Sequence, residues 1–234
     1  MFILLFIAMV LSMVVAWALI RQLQAKPWTQ HGVIPGSQDG LTSSAPKVGL
    51  WIFLGIVTSL FTVFIGAYFM RMDNTHGGVA SGIMHGWVPL AEPGVLWLNT
   101  VLLVLASVTI QIARTAAGRS NIEAVRKYFT AAGALTVAFL AGQLFAWQQL
   151  NATGNYGVGD PAFSFFILLT AVHGLHLIGG LVVWGRTAER IWVGFDGANV
   201  TEVSALRQSV ELCATYWHYL LLVWLVVFAI LLST

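Results

Sequence analysis

The sequence predicts an all-α integral membrane protein: a six-transmembrane-helix bundle with one N-terminal helix and a five-helix core. Three observations predict it. Of the 234 residues, 58% are hydrophobic and 9% charged, where a soluble domain carries about a quarter charged residues. The apolar residues gather in six runs, at about 2–20, 48–70, 95–113, 128–149, 162–185 and 208–232, each long enough for a helix to cross the hydrocarbon core. The runs lack the period-two alternation of barrel strands, and a bilayer offers no hydrogen-bond partner to an open sheet edge.

The run at 2–20 has no basic residue before it and no small-residue cleavage site after it. It therefore reads as a retained transmembrane helix, residues 1–20, and not as a signal peptide. Segment 21–47 is rich in Gly, Pro and Ser and reads as a cytoplasmic connector that detaches this helix from a core at 48–234. The loop at 72–94, with its Gly, His and Pro, is expected to lie along a partner or the membrane interface. Basic residues set the orientation. Arg21, Lys26 and Lys47 fall in the first connector, Arg114, Arg119, Arg126 and Lys127 in the third, and Arg186, Arg190 and Arg207 in the fifth. Only Arg71, one of eleven Lys and Arg residues, falls on the other side. That bias puts the three basic segments in the cytoplasm and both termini outside, in the periplasm.

Other classes are excluded by what the spans contain. The single cysteine, Cys213, allows no disulfide framework and no zinc pattern. No P-loop, GxGxxG, HExxH or nucleophile motif occurs, and no inverted pair of Gly/Pro-broken helices suggests a transporter. Trp87, Trp97, Trp147, Tyr156 and Trp184 fall near span ends, where interfacial aromatics belong. Asn151-Ala152-Thr153 matches a glycosylation sequon, a pattern common by chance.

The chain is organised around 163–184, FSFFILLTAVHGLHLIGGLVVW, which holds His173 and His176 near its middle. At i, i+3 they share one helix face, and at that depth they need protein partners. The other intramembrane polar residues are Glu211 and His218 in the last span, with Gln111 and Gln143 elsewhere. A Glu211–His176 or a His173–His218 pair across adjacent antiparallel helices would make burial tolerable. Three chemical readings compete with a purely structural one. His173 and His218 would suit the two axial ligands of a haem b, or His and Glu would form a proton relay. A di-metal carboxylate site fails because it needs several Glu-x-x-His pairs and only one buried Glu exists. In the structural reading these groups bond each other and nearby backbone, and lock the helices together. Gly174, Gly179, Gly180 and Gly185, with Ala131, Ala132, Gly133, Ala134, Ala138 and Gly142, would allow close helix approach, within the chain or to a partner.

Four stretches resemble subunit III of the A-type haem-copper terminal oxidases, the third subunit of cytochrome c and quinol oxidases. Leu98-Asn99-Thr100 with Ala106-Ser107-Val108-Thr109-Ile110-Gln111 is similar to the family's N-T-x-x-L-x-x-S-S-x-x-x-Q helix. Phe139-Leu140-Ala141-Gly142-Gln143 is similar to its F-L-x-x-Q segment. Phe165 to His176 resembles F-F-x-L-T-G-x-H-G-x-H. Glu211 with Tyr216-Trp217-His218 and Val223-Trp224 resembles E-x-x-x-x-Y-W-H-F-V-D-x-V-W. The chain departs from the pattern where ionisable groups stand. Ile56-Val57-Thr58 replaces a glutamate context, Ala146-Trp147 a Glu-Tyr pair, and Leu221 an aspartate.

The resemblance implies a bacterial variant with one span ahead of the core, in the inner (plasma) membrane. It implies an accessory subunit with no catalytic, cofactor or metal site of its own, and no nucleic-acid partner. Haems and copper would belong to partner subunits: subunit I, which this chain would touch directly, and subunit II in the same complex. It would hold phospholipids in a cleft between helix groups and support proton-coupled reduction of dioxygen to water. His173, His176, Glu211, His218, Gln111 and Gln143 would then be buried structural polar groups, and Trp217, Trp224 and Gly174 packing residues. Two alternatives stand beside this: the subunit-III-like protein associated with nitric oxide reductase, and a stand-alone b-type membrane cytochrome.

Overall fold

A computed structural model of the chain describes residues 45–77, 94–152, 161–193 and 200–232. The helix expected at 1–20, nearly all of the 21–47 connector, most of the 72–94 loop, Trp87 and Tyr156 lie outside the described residues. Five helices follow in order: α1 (Ala45–Gly77), α2 (Val95–Gly118), α3 (Ile122–Ala152), α4 (Pro161–Val193) and α5 (Val200–Leu232). Each of the five contains a stretch long and apolar enough to cross a membrane. Even α2, with 24 residues, rises about 36 Å against a hydrocarbon core of about 30 Å.

The helices outrun the apolar runs that announced them. The fifth apolar run of the core begins at 208, yet α5 starts at Val200 and takes in Glu202 and Arg207. Glu, Arg and Gln hold a helix about as well as leucine does, so an apolar run marks the hydrocarbon and not the helix end. The α2–α3 connection is tight. Asn121 N–H reaches Ala116 O at 3.1 Å and Ser120 N–H reaches Ala117 O at 3.2 Å, the double bond of a Schellman ending. Ser120 takes the left-handed position at φ 55°, and Asn121 Oδ1 then caps α3 by accepting from Ala124 N–H at 3.1 Å.

Four helices form a closed ring: α2 packs on α3 and α5, and α4 packs on α3 and α5. Leu103, Ile110, Phe129, Phe139, Phe166, Trp217 and Trp224 are fully buried inside it. Helix α1 lies against the outside of α4 and α5. Its Phe53 and Phe61 rings meet His176 at 6.4 and 5.7 Å, and Thr58 Oγ1 bonds Tyr219 OH at 2.8 Å. Its Trp51, Ile52, Ile56 and Val63 are exposed, an apolar face suited to lipid or to a neighbouring membrane protein.

Only three glycines of the ring bring helices into close approach. A Cβ added at Gly133 would collide with the Trp184 indole, one at Gly142 with the Asn99 amide, and one at Gly180 with the Tyr216 ring. Gly174 has room, since a Cβ there would sit 3.7 Å from Leu140. Gly133→Ala should therefore cost about 1–3 kcal/mol by overpacking, seen as a lower thermal midpoint in detergent by tryptophan fluorescence. Gly179→Ala and Gly185→Ala, where a Cβ meets nothing within 4 Å, should leave the midpoint unchanged or raise it.

Candidate functional site

Tryptophan N–H groups, each a donor with no acceptor of its own, make the strongest pattern of inter-helix polar contacts. Trp217 on α5 donates to Thr136 Oγ1 on α3 at 2.9 Å, joining two helices that are not neighbours in the ring. Trp224 on α5 donates to Thr100 Oγ1 on α2 at 3.0 Å. Trp147 on α3 donates to Thr170 Oγ1 on α4 at 3.1 Å, and Trp184 on α4 to Phe129 O on α3 at 3.0 Å. The three threonines share one device. Each hydroxyl gives its proton to the carbonyl a turn back: Thr100 to Leu96 O at 2.8 Å, Thr136 to Ala132 O at 2.8 Å, Thr170 to Phe166 O at 2.6 Å. The oxygen lone pairs are then left to accept the indole proton.

The histidine pairings expected from the sequence do not form. His218 bonds Ser107 Oγ through Nδ1 and Gln111 Oε1 through Nε2, the latter at 2.9 Å. Glu211 bonds Lys47 Nζ at 3.2 Å and Arg114 Nη2 at 3.4 Å. His176 turns its Nδ1 to the Val172 carbonyl of its own helix at 2.7 Å. His173 is fully buried between the rings of Phe139 and Trp224, at 5.9 and 5.3 Å, and neither ring nitrogen has a hydrogen-bond partner among the described residues. The physical reason is angular. Three residues leave the two side chains about 60° apart on the helix, enough that His173 faces Phe139 and Trp224 inside the ring while His176 faces Phe53 and Phe61 of α1.

Burial divides the expected polar set. His173 and Gln143 are buried, as are Trp217 and Trp224. Glu211, His176 and His218 are half-buried, and Gln111 is exposed. Gln143 pairs with Asn99, whose Nδ2 donates to Gln143 Oε1 at 3.3 Å. The N-T…S…Q motif of α2 thus splits over two faces. Thr100, Ser107 and Gln111 meet α5, while Asn99 meets α3. Along the α2–α5 seam the contacts run from the Lys47–Glu211–Arg114 cluster to Gln111–His218–Ser107. His218 is about 10 Å further along its helix than Glu211.

This arrangement can carry charge at one end of the bundle and neutral hydrogen bonds within it. Among the described residues no group of three or more His, Cys, Asp or Glu is placed to hold a metal ion. Both nitrogens of His218 are engaged with α2, while His173 packs between the rings of Phe139 and Trp224. The sequence reading missed Lys47, Asn99, Thr100, Ser107, Arg114, Thr136 and Thr170 as partners. The signal available was the tryptophans: a donor buried in a span requires an acceptor.

Comparison with known proteins decides the family. The family described as cytochrome c oxidase subunit III matches residues 1–233. The chain belongs to that family. Cytochrome c oxidase subunit 3 of Alkalihalophilus pseudofirmus is 27% identical over 184 residues, covering 78% of this chain and 84% of that protein. The subunit 3 of Thermostichus vulcanus is 25% identical over 189 residues, covering 79% and 85%. Cytochrome bo(3) ubiquinol oxidase subunit 3 of Buchnera aphidicola is 22% identical over 198 residues, covering 82% and 88%. This is a bacterial-type subunit III of the haem-copper oxidases, all-helical in its described residues, with transmembrane character.

The tryptophan–threonine bonds and the lone histidine make opposite predictions. Thr136→Val keeps the shape but strands the Trp217 N–H, and should cost about 1–3 kcal/mol. His173→Phe removes no hydrogen bond made by the described residues, and should leave stability unchanged or raise it. Thermal unfolding of both variants in the same detergent checks the pair.

Proposed function

We propose that the chain is a non-catalytic accessory subunit of a respiratory haem-copper terminal oxidase. It docks directly on subunit I, with subunit II in the same complex, and supports the stability of that assembly, its lipid retention and proton-coupled reduction of dioxygen to water. In this reading the protein crosses the bacterial plasma membrane six times. A helix at 1–20 and a cytoplasmic connector at 21–47 precede a five-helix core at 48–234, with both termini periplasmic. Haems and copper sit in the partners, and the chain's own polar groups, His173, His176, Glu211, His218, Gln111 and Gln143, are structural.

The observation that carries the reading is the match of one oxidase-subunit family along nearly the whole chain. One structural feature supports it. Gln111 is exposed and His218 half-buried on the outer side of the α2–α5 seam, inside segments long enough to span a membrane. Hydrocarbon solvates such groups poorly, so a protein neighbour is the better cover.

The test is purification of the tagged full chain from its own membranes in mild detergent. Recovery of a haem-copper subunit I and an oxidase absorption spectrum is expected, and a haem Soret band intrinsic to the separated chain overturns the reading. Glu211→Gln loosens the cluster that ties Lys47 of α1 to Arg114 of α2. It should shorten the time for which the purified oxidase sustains turnover, with the initial rate close to wild type. Immediate loss of turnover in a fully assembled complex would contradict the structural role.

A further inference from the structure

Three polar side chains in the interior of the ring make fewer hydrogen bonds than their burial demands. Asn99 on α2, Gln143 on α3 and His173 on α4 are all buried. Asn99 Nδ2 donates to Gln143 Oε1 at 3.3 Å. That bond leaves Asn99 Oδ1, Gln143 Nε2 and both His173 ring nitrogens without a partner among the described residues. Buried polar groups of folded proteins are nearly always paired, with protein or with ordered water.

The three side chains belong to one layer of the bundle. Trp147 of α3 bonds Thr170 of α4, and Phe129 of α3 bonds Trp184 of α4, so the two helices run antiparallel. Four residues back from Trp147 and three residues on from Thr170 are steps in the same direction, of about 6 and 4.5 Å. They bring Gln143 and His173 to one level. Phe139 and Trp224 meet each other at 4.9 Å and both pack on the imidazole. The Trp224 N–H is already given to Thr100, the residue next to Asn99, so the aromatic neighbours of His173 supply no hydrogen-bond partner.

The unmet groups are complementary. Gln143 Nε2 has protons to give, Asn99 Oδ1 has lone pairs to receive them, and a neutral imidazole brings one donor and one acceptor. A ligand that satisfies all of them carries both donors and lone pairs. It must also be small, because side chains of four helices close around the layer. Water meets both conditions, and a buried water makes about three such bonds.

We propose that the Asn99–Gln143–His173 layer is a binding site for ordered water. The water accepts from Gln143 Nε2, donates to Asn99 Oδ1 and shares a third hydrogen bond with His173, so that one molecule joins α2, α3 and α4. The site lies inside this chain and does not rest on docking to subunit I. Phenylalanine at 173 takes up the room of imidazole and water together and leaves the two amides to bond each other. His173→Phe should therefore keep its fold while losing the water.

The test is radiolytic labelling of the full chain, purified with the subunits that accompany it. A short X-ray pulse makes hydroxyl radicals from water, and those made at an internal water oxidise the side chains around it. Trp217 and Trp224 form the comparison, since both are fully buried in α5. Trp224 packs on His173, whereas Trp217 bonds Thr136. Read by peptide mass spectrometry, Trp224 should oxidise several-fold faster than Trp217. His173→Phe should bring Trp224 down to the Trp217 rate, and His173→Gln, which keeps a donor and an acceptor there, should preserve the excess. His176→Phe, at the other histidine of the span, should change nothing. A cryo-EM map of the same complex, at a resolution that shows water, should place a peak about 2.7–3.2 Å from Gln143 Nε2 and from His173. Equal rates for the two tryptophans in wild type, an excess that survives His173→Phe, or a map in which Gln143 bonds His173 directly overturns the proposal.

Discussion

A tryptophan indole in a low-dielectric interior has one proton to give and nowhere to put it unless another helix supplies an oxygen. The ring of α2, α3, α4 and α5 is arranged so that this demand is met. Trp217 and Trp224, two turns apart on one face of α5, end on Thr136 and Thr100, so α5 is bonded to α3 and α2 through its two largest side chains. Trp147 and Trp184 close the α3–α4 seam. Threonine suits the acceptor role because back-bonding to its own helix disposes of the hydroxyl proton. Each bond is modest in net terms, about 1 kcal/mol. A misregistered helix, however, would strand the indole proton, and that larger penalty is what selects one arrangement.

The close approaches follow from the same constraint. Trp184 can lay its ring on α3, stacked on Phe129 at 5.8 Å, only because residue 133 has no side chain there. Gly142 admits the Asn99 amide that bonds Gln143, and Gly180 admits Tyr216, whose hydroxyl donates to His176 O at 2.9 Å. In a bilayer the apolar solvent gives helices little reason to associate, and close packing with inter-helix hydrogen bonds takes over. Glycine and tryptophan are here two halves of one contact.

How much of this the sequence disclosed depends on what kind of information each residue carries. The five core helices were legible because apolar run length is a direct consequence of bilayer thickness, and Val95 begins α2 where its run begins. The Ser120 turn was not, because the left-handed position falls on a serine two residues after Gly118, the residue that turn chemistry would choose. His173 and His176 drew attention because histidine is rare at that depth, yet rarity does not say which way a side chain points. Rotation about the helix axis sent them to different neighbours. Thr136 and Thr170 passed unnoticed because a threonine in a span is unremarkable until an indole is found opposite it.

The substitutions at acidic positions of the family pattern acquire a physical meaning from this arrangement. Near the first, Thr58 bonds Tyr219 and Leu54 O. At the second, Ala146 is fully buried and Trp147 donates to Thr170. At the third, Leu221 packs against the core. Neutral bonds and apolar contacts stand where ionisable groups would otherwise have to be stabilised. A carboxylate at Ala146 would meet a closed interior, where an unpaired charge costs several kcal/mol. Of the charged groups that remain, Lys47 and Arg114 both pair with Glu211 at one end of the bundle, with Glu211 still 32% exposed. Within the described ring the inter-helix polar contacts are thus made by amides, hydroxyls and indoles, and the ion pairs stand at its end.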